Sequence, residues 1–415
     1  MILTIKKGGS KMEKKALFYL AILTAVAAAF ICGPICQAAE PIKIAACEPL
    51  SGTFKDIGER YLEGVQYAAK VINDQGGLLG RKVEVIPIDT ELKPDVATRK
   101  ATKLILKHNV RYFCGGTGSS VGGAMSVLAE KNNALMLSYG MAAASLTGAK
   151  CSRNFFRACL NTDTQSYALA MWVAKSGYKK VLCIAQDYSF GHEATAAFVK
   201  KVKELNPSVQ IVGELYHKAG EKDFAPYISQ IINSGAELVW TPNWGNDLTL
   251  LIKQGKTLGM RAKIASYYLN DEYLIESVGD DSAIVGNITA ESYMLTIPTE
   301  KNKKFVEGFY KEKGHYPSWL RGKAYTATMF WAEAVKKAGK DDVEAVIKAW
   351  EGLTYEGPAG TYYMRPCDHQ AQIPVWVAEM VKESKFFNHA FVGEPTMIPA
   401  KDIEIPCEET GCKMK

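Results

Sequence analysis

Short apolar runs and longer amphipathic ones alternate along most of this chain, and their periods tell them apart. Residues 42–47 are continuously apolar but for Lys43 and read as a buried strand closed by the turn Pro49-Leu50-Ser51-Gly52. Leu62, Val65, Ala69 and Ile72 then recur at helical spacing until Asn73-Asp74-Gln75-Gly76-Gly77 stops the helix. Further strands are predicted at 82–88, 110–114 and 134–138, with a helix at 96–106 opened by Pro94 and another after 115–120. The rhythm restarts with strands at 181–185, 210–215, 237–241 and 263–266, separated by helices at 194–205, 224–232 and 248–258. Such alternation implies parallel sheets with helices on both faces, and two runs of it predict an α/β chain of two doubly wound domains. Ligands of these sheets lie beyond the carboxyl ends of strands, here Cys47, Gly115, Ser138, Asp187, Pro242 and Tyr267.

Composition narrows the class without changing that picture. The 415 residues are 47% hydrophobic and 23% charged, an ordinary globular balance, with length for two cores. Five lysines and one glutamate in 1–39 carry +4 of the net +6, so the body is nearly neutral and offers no electrostatic ground for nucleic acid. Lys14-Lys15 precede an uncharged stretch, 16–39, whose apolar part ends at Gly33-Pro34 and whose small residues around Ala38 suit a signal peptidase. Residues 1–39 are therefore expected to be a cleaved export signal, and the mature protein periplasmic. No later apolar run reaches about 18 residues.

Eight cysteines follow that signal, and an oxidising compartment permits disulfides. Cys151 with Cys159, and Cys407 with Cys412, are the pairs that proximity suggests; Cys47, Cys114 and Cys183 read as buried thiols, and Cys367 has no obvious partner. The absence of CxxC and of histidines at metal spacing argues against a metal, and no cofactor is expected. Gly76-Gly77-Leu78-Leu79-Gly80 follows a helix rather than a strand, so its glycines serve a turn and not a phosphate. Nor does any HExxH or Walker motif occur, so an enzyme is not expected.

Three stretches together resemble the type I periplasmic binding proteins, most closely the leucine/isoleucine/valine-binding group that serves ABC transporters. The first is Glu48-Pro49-Leu50-Ser51-Gly52 with Gly58 and Gly76-Gly77-Leu78-Leu79-Gly80-Arg81; the second is 115–120 with Met136-Leu137-Ser138. The third is Asp187-Tyr188-Ser189-Phe190-Gly191, with Asp223-Phe224 and Leu258-Gly259, and Asp368-His369-Gln370 matches a subgroup. The resemblance implies a clamshell: lobe one over 40–159 plus 292–366, lobe two over 160–291 plus 367–395, three crossings between them, and a tail at 396–415. It implies a monomeric receptor that gives an amino acid or related small carboxylate to an ABC permease in the membrane. A soluble periplasmic sensor for an aromatic or other amine-free carboxylate is the alternative.

By the same resemblance, Ser119 falls on the serine that grips a ligand carboxylate, with Ser120 beside it. Both precede a helix whose first N–H groups favour an anion, although a serine there also serves as an ordinary cap. Gly140, Met141 and Ala142 match the second contact strip, Gly140 at the carbonyl for the ligand ammonium and Ala142 where branched-chain binders carry threonine. Lobe two is expected to add Tyr188, Phe190, Trp244 and Tyr267. Branched-chain binders also hold the ammonium with a glutamate near this last position, and 265–269 contains no acid. Asp187, Asp247, Asp271 and Glu291 are the acids that could replace it, each also readable as a turn or cap residue.

Overall fold

The computed structural model describes Met12 and residues 39–414; the expected export signal otherwise lies outside the described residues. The first run of alternating elements is β1 (Ile42–Glu48), α1 (Lys55–Asp74), β2 (Val83–Asp89), α2 (Pro94–His108), β3 (Tyr112–Gly115), α3 (Ser119–Lys131), β4 (Leu135–Ser138) and β5 (Phe155–Arg157). Its strands form one parallel sheet in the order β2-β1-β3-β4-β5. β1 sits inside, in register with β2 through Ile42 to Val83 and with β3 through Ile44 to Tyr112. That position explains its nearly unbroken apolar run, since helices cover both faces.

The second run comprises α4 (Thr162–Ser176), β6 (Lys180–Gln186), α5 (Ser189–Leu205), β7 (Gln210–His217), α6 (Ala225–Ser234), β8 (Leu238–Thr241), α7 (Asn246–Thr257), β9 (Lys263–Ser266), α8 (Glu272–Val278), α9 (Asp281–Ile284) and β10 (Ile288–Glu291). After it come α10 (Glu300–Lys313), α11 (Trp319–Ala338), α12 (Val343–Trp350), β11 (Thr354–Gly357), β12 (Gly360–Met364), β13 (Ala371–Gln372), β14 (Val375–Val381), β15 (Phe391–Val392) and β16 (Thr396–Ile398). The second sheet runs β15-β14-β10-β9-β8-β6-β7, with β16 on β14; β11-β12-β13 make a small separate sheet. All eight expected strands lie within two residues of those observed.

The chain crosses from the first large sheet to the second after β5, leaves the second after β10 for helices and the small sheet, and crosses back into it between β13 and β14. After the second crossing, α11 returns to pack along α1 in the first lobe. Gly64 permits the approach, because a Cβ there would stand 2.4 Å from the Arg321 carbonyl oxygen. The first and third crossings are tied together at Arg157, which bridges to Gln370.

The disulfide expectations are corrected. Cys151 bonds Cys412 and Cys367 bonds Cys407, with Cα separations of 5.6 and 6.2 Å, whereas Cys159 is a free buried thiol. Strand β5 carries the chain away from Cys151 into the interior, where Cys159 Sγ lies 3.9 Å from Ser138 Oγ. The segment 396–415, read from sequence as a surface tail, enters the second sheet as β16. It then passes Arg365, which donates to the Ile405 carbonyl at 2.6 Å, and ends bonded to the first lobe through Cys412. Cys47, Cys114 and Cys183 are buried thiols, as read from sequence. Among the described residues, no helix is long and apolar enough to cross a membrane.

Candidate functional site

The carboxyl ends of β1, β3 and β4 meet at one buried carboxyl group. Glu48, the last residue of β1, is fully buried and accepts the Gly116 N–H at 2.6 Å, the Thr117 hydroxyl at 2.7 Å and the Tyr139 hydroxyl at 2.7 Å. Burial pushes its pKa up to about 7, against the downward pull of those hydrogen bonds. The loop after β3 is thus fixed from beneath before it enters α3.

Helix α3 begins with Gly118 as N-cap, at φ 85°, and no side chain caps it. Ser119 is the first helical residue rather than the cap. Its Oγ accepts the Ala143 N–H at 3.2 Å, joining the helix start to the loop after β4. That loop is held at several further points. Ser138 Oγ accepts the Met141 N–H at 3.1 Å, and the Ala142 carbonyl accepts the Thr162 N–H at 2.9 Å and its hydroxyl at 3.0 Å. Arg157, wholly buried, donates to the Ala143 carbonyl at 2.6 Å, the Met141 carbonyl at 3.3 Å, Gln370 at 2.5 Å and Thr147.

The structure brings Ser119, Gly140 and Ala142 to one edge of the first lobe, with Ser120 exposed on the next position of α3. Met141 does not share that edge: it is buried in the core against Gly115 and Gly122. Gly140 lies under Tyr61, whose ring is 5.0 Å from Tyr139. Sequence reading missed Glu48 as a buried hub, Arg157 and Tyr61; of these only Arg157, a charge inside an apolar strand, leaves a visible signal.

On the second lobe, Tyr188 and Phe190 stack at 5.8 Å, and Trp244 Nε1 donates to the Tyr188 hydroxyl at 3.0 Å. Trp244 also reaches Phe54 of the first lobe, ring to ring at 5.4 Å, so these aromatics span the two lobes. Tyr267 is not with them. It is fully buried, its hydroxyl 2.7 Å from Ser166 Oγ and its ring against Trp240. The neighbouring Tyr268 is the residue that meets the first lobe, 5.6 Å from Trp319.

Each candidate acid is already engaged. Asp187 lies 2.7 Å from His192, and Asp247 accepts from Gln186 at 2.7 Å and from the Gly220 N–H at 3.0 Å. Asp271 takes Arg60 at 3.0 Å and Trp319 at 3.1 Å, while Glu291 takes Lys323 at 2.9 Å and Ser292 at 2.7 and 2.8 Å. The side chains of both the Lys323 and Glu291 pair are nearly or wholly buried. No group of three acidic, histidine or cysteine side chains among the described residues could hold a metal ion.

Chemically, this arrangement offers main-chain N–H donors and serine hydroxyls on one lobe and a cluster of aromatic rings on the other. A family model described as periplasmic binding protein matches residues 41–385. The chain belongs to the periplasmic binding protein family. This periplasmic binding protein is 30% identical over 410 residues to the Leu/Ile/Val-binding protein homolog 4 of Brucella abortus (strain 2308), covering 94% of this chain and 97% of that one. It is also similar, with a TM-score of 0.83 and 28% identity, to the closed crystal structure of a leucine-, isoleucine-, valine-, threonine- and alanine-binding protein from Brucella ovis. That likeness covers 91% of this chain and 100% of the other. A solute-binding protein of an ABC transporter from Rhodopseudomonas palustris BisB5, in complex with 3,4-dihydroxybenzoic acid, shares the fold at a TM-score of 0.77. Identity there is 24%, over 87% of this chain and 98% of that one. The family is one of solute-binding receptors of the ABC-transporter type rather than a class of enzymes, and its place is the periplasm.

Proposed function

We propose that this periplasmic binding protein closes on a small carboxylate and presents it, as a monomer, to an ABC permease. The jaws are 40–159 with 292–366 and 160–291 with 367–395. The carboxylate sits at the start of α3, on the N–H groups and hydroxyls of Ser119 and Ser120, where the helix dipole favours negative charge. Gly140 and Ala142 border it on the same lobe. Tyr188, Phe190 and Trp244 close over its apolar part. The observation that carries this reading is the start of α3, which no side chain caps.

A second observation bears on the ligand class. Of the four acids that could meet an α-ammonium, Asp271 and Glu291 are ion-paired within the protein and Asp247 and Asp187 are held by Gln186, the Gly220 N–H and His192, and burying an ammonium without a counter-charge is costly. An aromatic or aliphatic carboxylate without an amine fits such a pocket better than leucine does. The family's amino-acid binders supply the competing expectation. The test is a thermal-shift screen with leucine, isoleucine and valine against benzoate and hydroxybenzoates, since a compound at 100 times its Kd adds about 2.7 kcal/mol to stability. Stabilisation by benzoates alone supports the amine-free class, and stabilisation by leucine alone refutes it. With whichever compound binds, Ser119→Ala is expected to weaken affinity by about 1.5–3 kcal/mol, and unchanged affinity removes Ser119 from the site.

A further inference from the structure

Four charged side chains cross the gap between the lobes, outside the carboxylate site. Arg60 on α1 and Arg321 on α11 belong to the first lobe; Asp271 and Glu272, at the start of α8, belong to the second. Arg60 Nη1 donates to both Asp271 oxygens, at 3.0 and 3.2 Å, and lies 4.0 Å from Glu272. Arg321 Nη1 lies 3.5 Å from Glu272, while its Nε donates to Glu63 of its own lobe at 2.5 Å. The guanidinium of Arg60 covers the Tyr273 ring at 4.3 Å, and Trp319 Nε1 adds a neutral bond to Asp271 at 3.1 Å.

Burial separates this cluster from ordinary surface pairs. The Arg60 and Arg321 side chains are 5% and 8% exposed, and those of Asp271 and Glu272 are 14% and 12% exposed. Two adjacent carboxylates that shielded from water need cations, and burial and Asp271 together push the Glu272 carboxyl up. The cations come from the opposite lobe, on helices each separated from α8 by one crossing of the chain. Pairing of this kind is complete when the lobes meet and is lost when they part.

We propose that Arg60 and Arg321 with Asp271 and Glu272 form an interlobe latch that holds the cleft closed without ligand. The inference rests on the clamshell reading but not on the carboxylate seat. A receptor already biased to its closed state loses less affinity to the cost of closure, because apparent affinity scales with the binding-competent fraction. The latch therefore sets affinity without touching the ligand.

Small-angle scattering of the ligand-free exported protein tests this, since no ligand has to be known. The wild type is expected to scatter as the closed form. Asp271→Asn keeps the α8 cap through its one remaining oxygen but removes the charge and the second oxygen that accepts from Trp319, and is expected to shift the closed-to-open ratio toward open by about tenfold. Arg60→Met should open the cleft at least as far. Asp74→Asn, which breaks a pair with Lys70 on α1 alone, should leave the scattering unchanged. A ligand-free wild type that scatters as an open clamshell overturns the latch, as does an Asp271→Asn variant that is folded by circular dichroism and as closed as the wild type. Neither result would bear on whether carboxylates bind at Ser119.

Discussion

Replacing Glu48 by glutamine should remove a pH dependence that this one residue imposes on the whole molecule. Its carboxyl group is fully buried and its three partners, Gly116, Thr117 and Tyr139, are all neutral. Burial therefore raises the pKa from 4.5 to about 7, beyond what the hydrogen bonds restore. Between these two values the folded protein keeps a proton that the unfolded chain has released. Stability is thus greatest below pH 4.5, falls as pH rises through 7, and stays at the lower level above it. A change of that size corresponds to about 3 kcal/mol, and for a chain of this length to about 4 °C in Tm.

Glutamine is the informative substitute because it keeps the shape and loses only the charge. Its carbonyl can accept from Gly116 and Tyr139 as Oε1 does now, and its amide can donate to the Thr117 hydroxyl, which turns to accept. Thermal melts of both proteins from pH 4.5 to 8.5 at fixed ionic strength give the comparison, and every other titrating group cancels in the difference. The expected result is a wild type that loses about 4 °C relative to the variant across that range. Ionised Glu48 also lies under the loop leading to Ser119, so affinity for a carboxylate should decline above pH 7 in the wild type and not in the variant. Parallel melting curves would refute the reasoning, by showing that three neutral donors suffice to keep the carboxylate ionised. A variant less stable at every pH would refute the claim that glutamine fits.

Two further outcomes follow from geometry already described. Cys407→Ser should cost roughly 4 kcal/mol, the loop-closure value for a bridge spanning 40 residues, and thiol counting after denaturation without reductant should give four free cysteines in the exported wild type; a Cys151–Cys159 bridge by peptide mapping would contradict the pairing. Gly140→Ala should cost about 1–3 kcal/mol, because a Cβ there would stand 2.3 Å from the Tyr61 hydroxyl and 2.6 Å from the Gly116 carbonyl. An unchanged Tm would show that Tyr61 moves aside freely.

What could be read from the chain follows from which interactions are local. The βα alternation, the stops at Gly76-Gly77 and the strand exits depend on residues a few positions apart, and the two sheets bear them out. Parity within a strand depends on more. A half-buried strand announces its faces by alternation, but β9 runs between β8 and β10 and its last three residues are all buried. Nothing in 263–268 therefore distinguishes Tyr267 from Tyr268, and a shift of one residue exchanges core for cleft. The disulfides failed for the opposite reason. Cys151 and Cys412 are 261 residues apart, so sequence proximity pointed to the wrong partners.

Ser119 shows how a correct residue can carry an incomplete role. A serine before a helix supports capping and ligand binding equally, because both use an oxygen near unpaired N–H groups. In the fold the cap position belongs to Gly118, and Ser119 Oγ instead accepts from Ala143. The hydroxyl proton remains to be donated, since only the oxygen lone pair is used. Ser119 can then join the α3 start to the 140–143 loop and still offer a donor to a carboxylate. With Arg157 holding that loop from behind, both strips of the first lobe are fixed before any ligand arrives. Adaptation to different ligands then falls to the second lobe, where Tyr188 is 39% exposed and Trp244 is tied to it by a single hydrogen bond. Substitutions at those two aromatics should change which carboxylates bind, whereas substitutions at Ser119 should weaken all of them together.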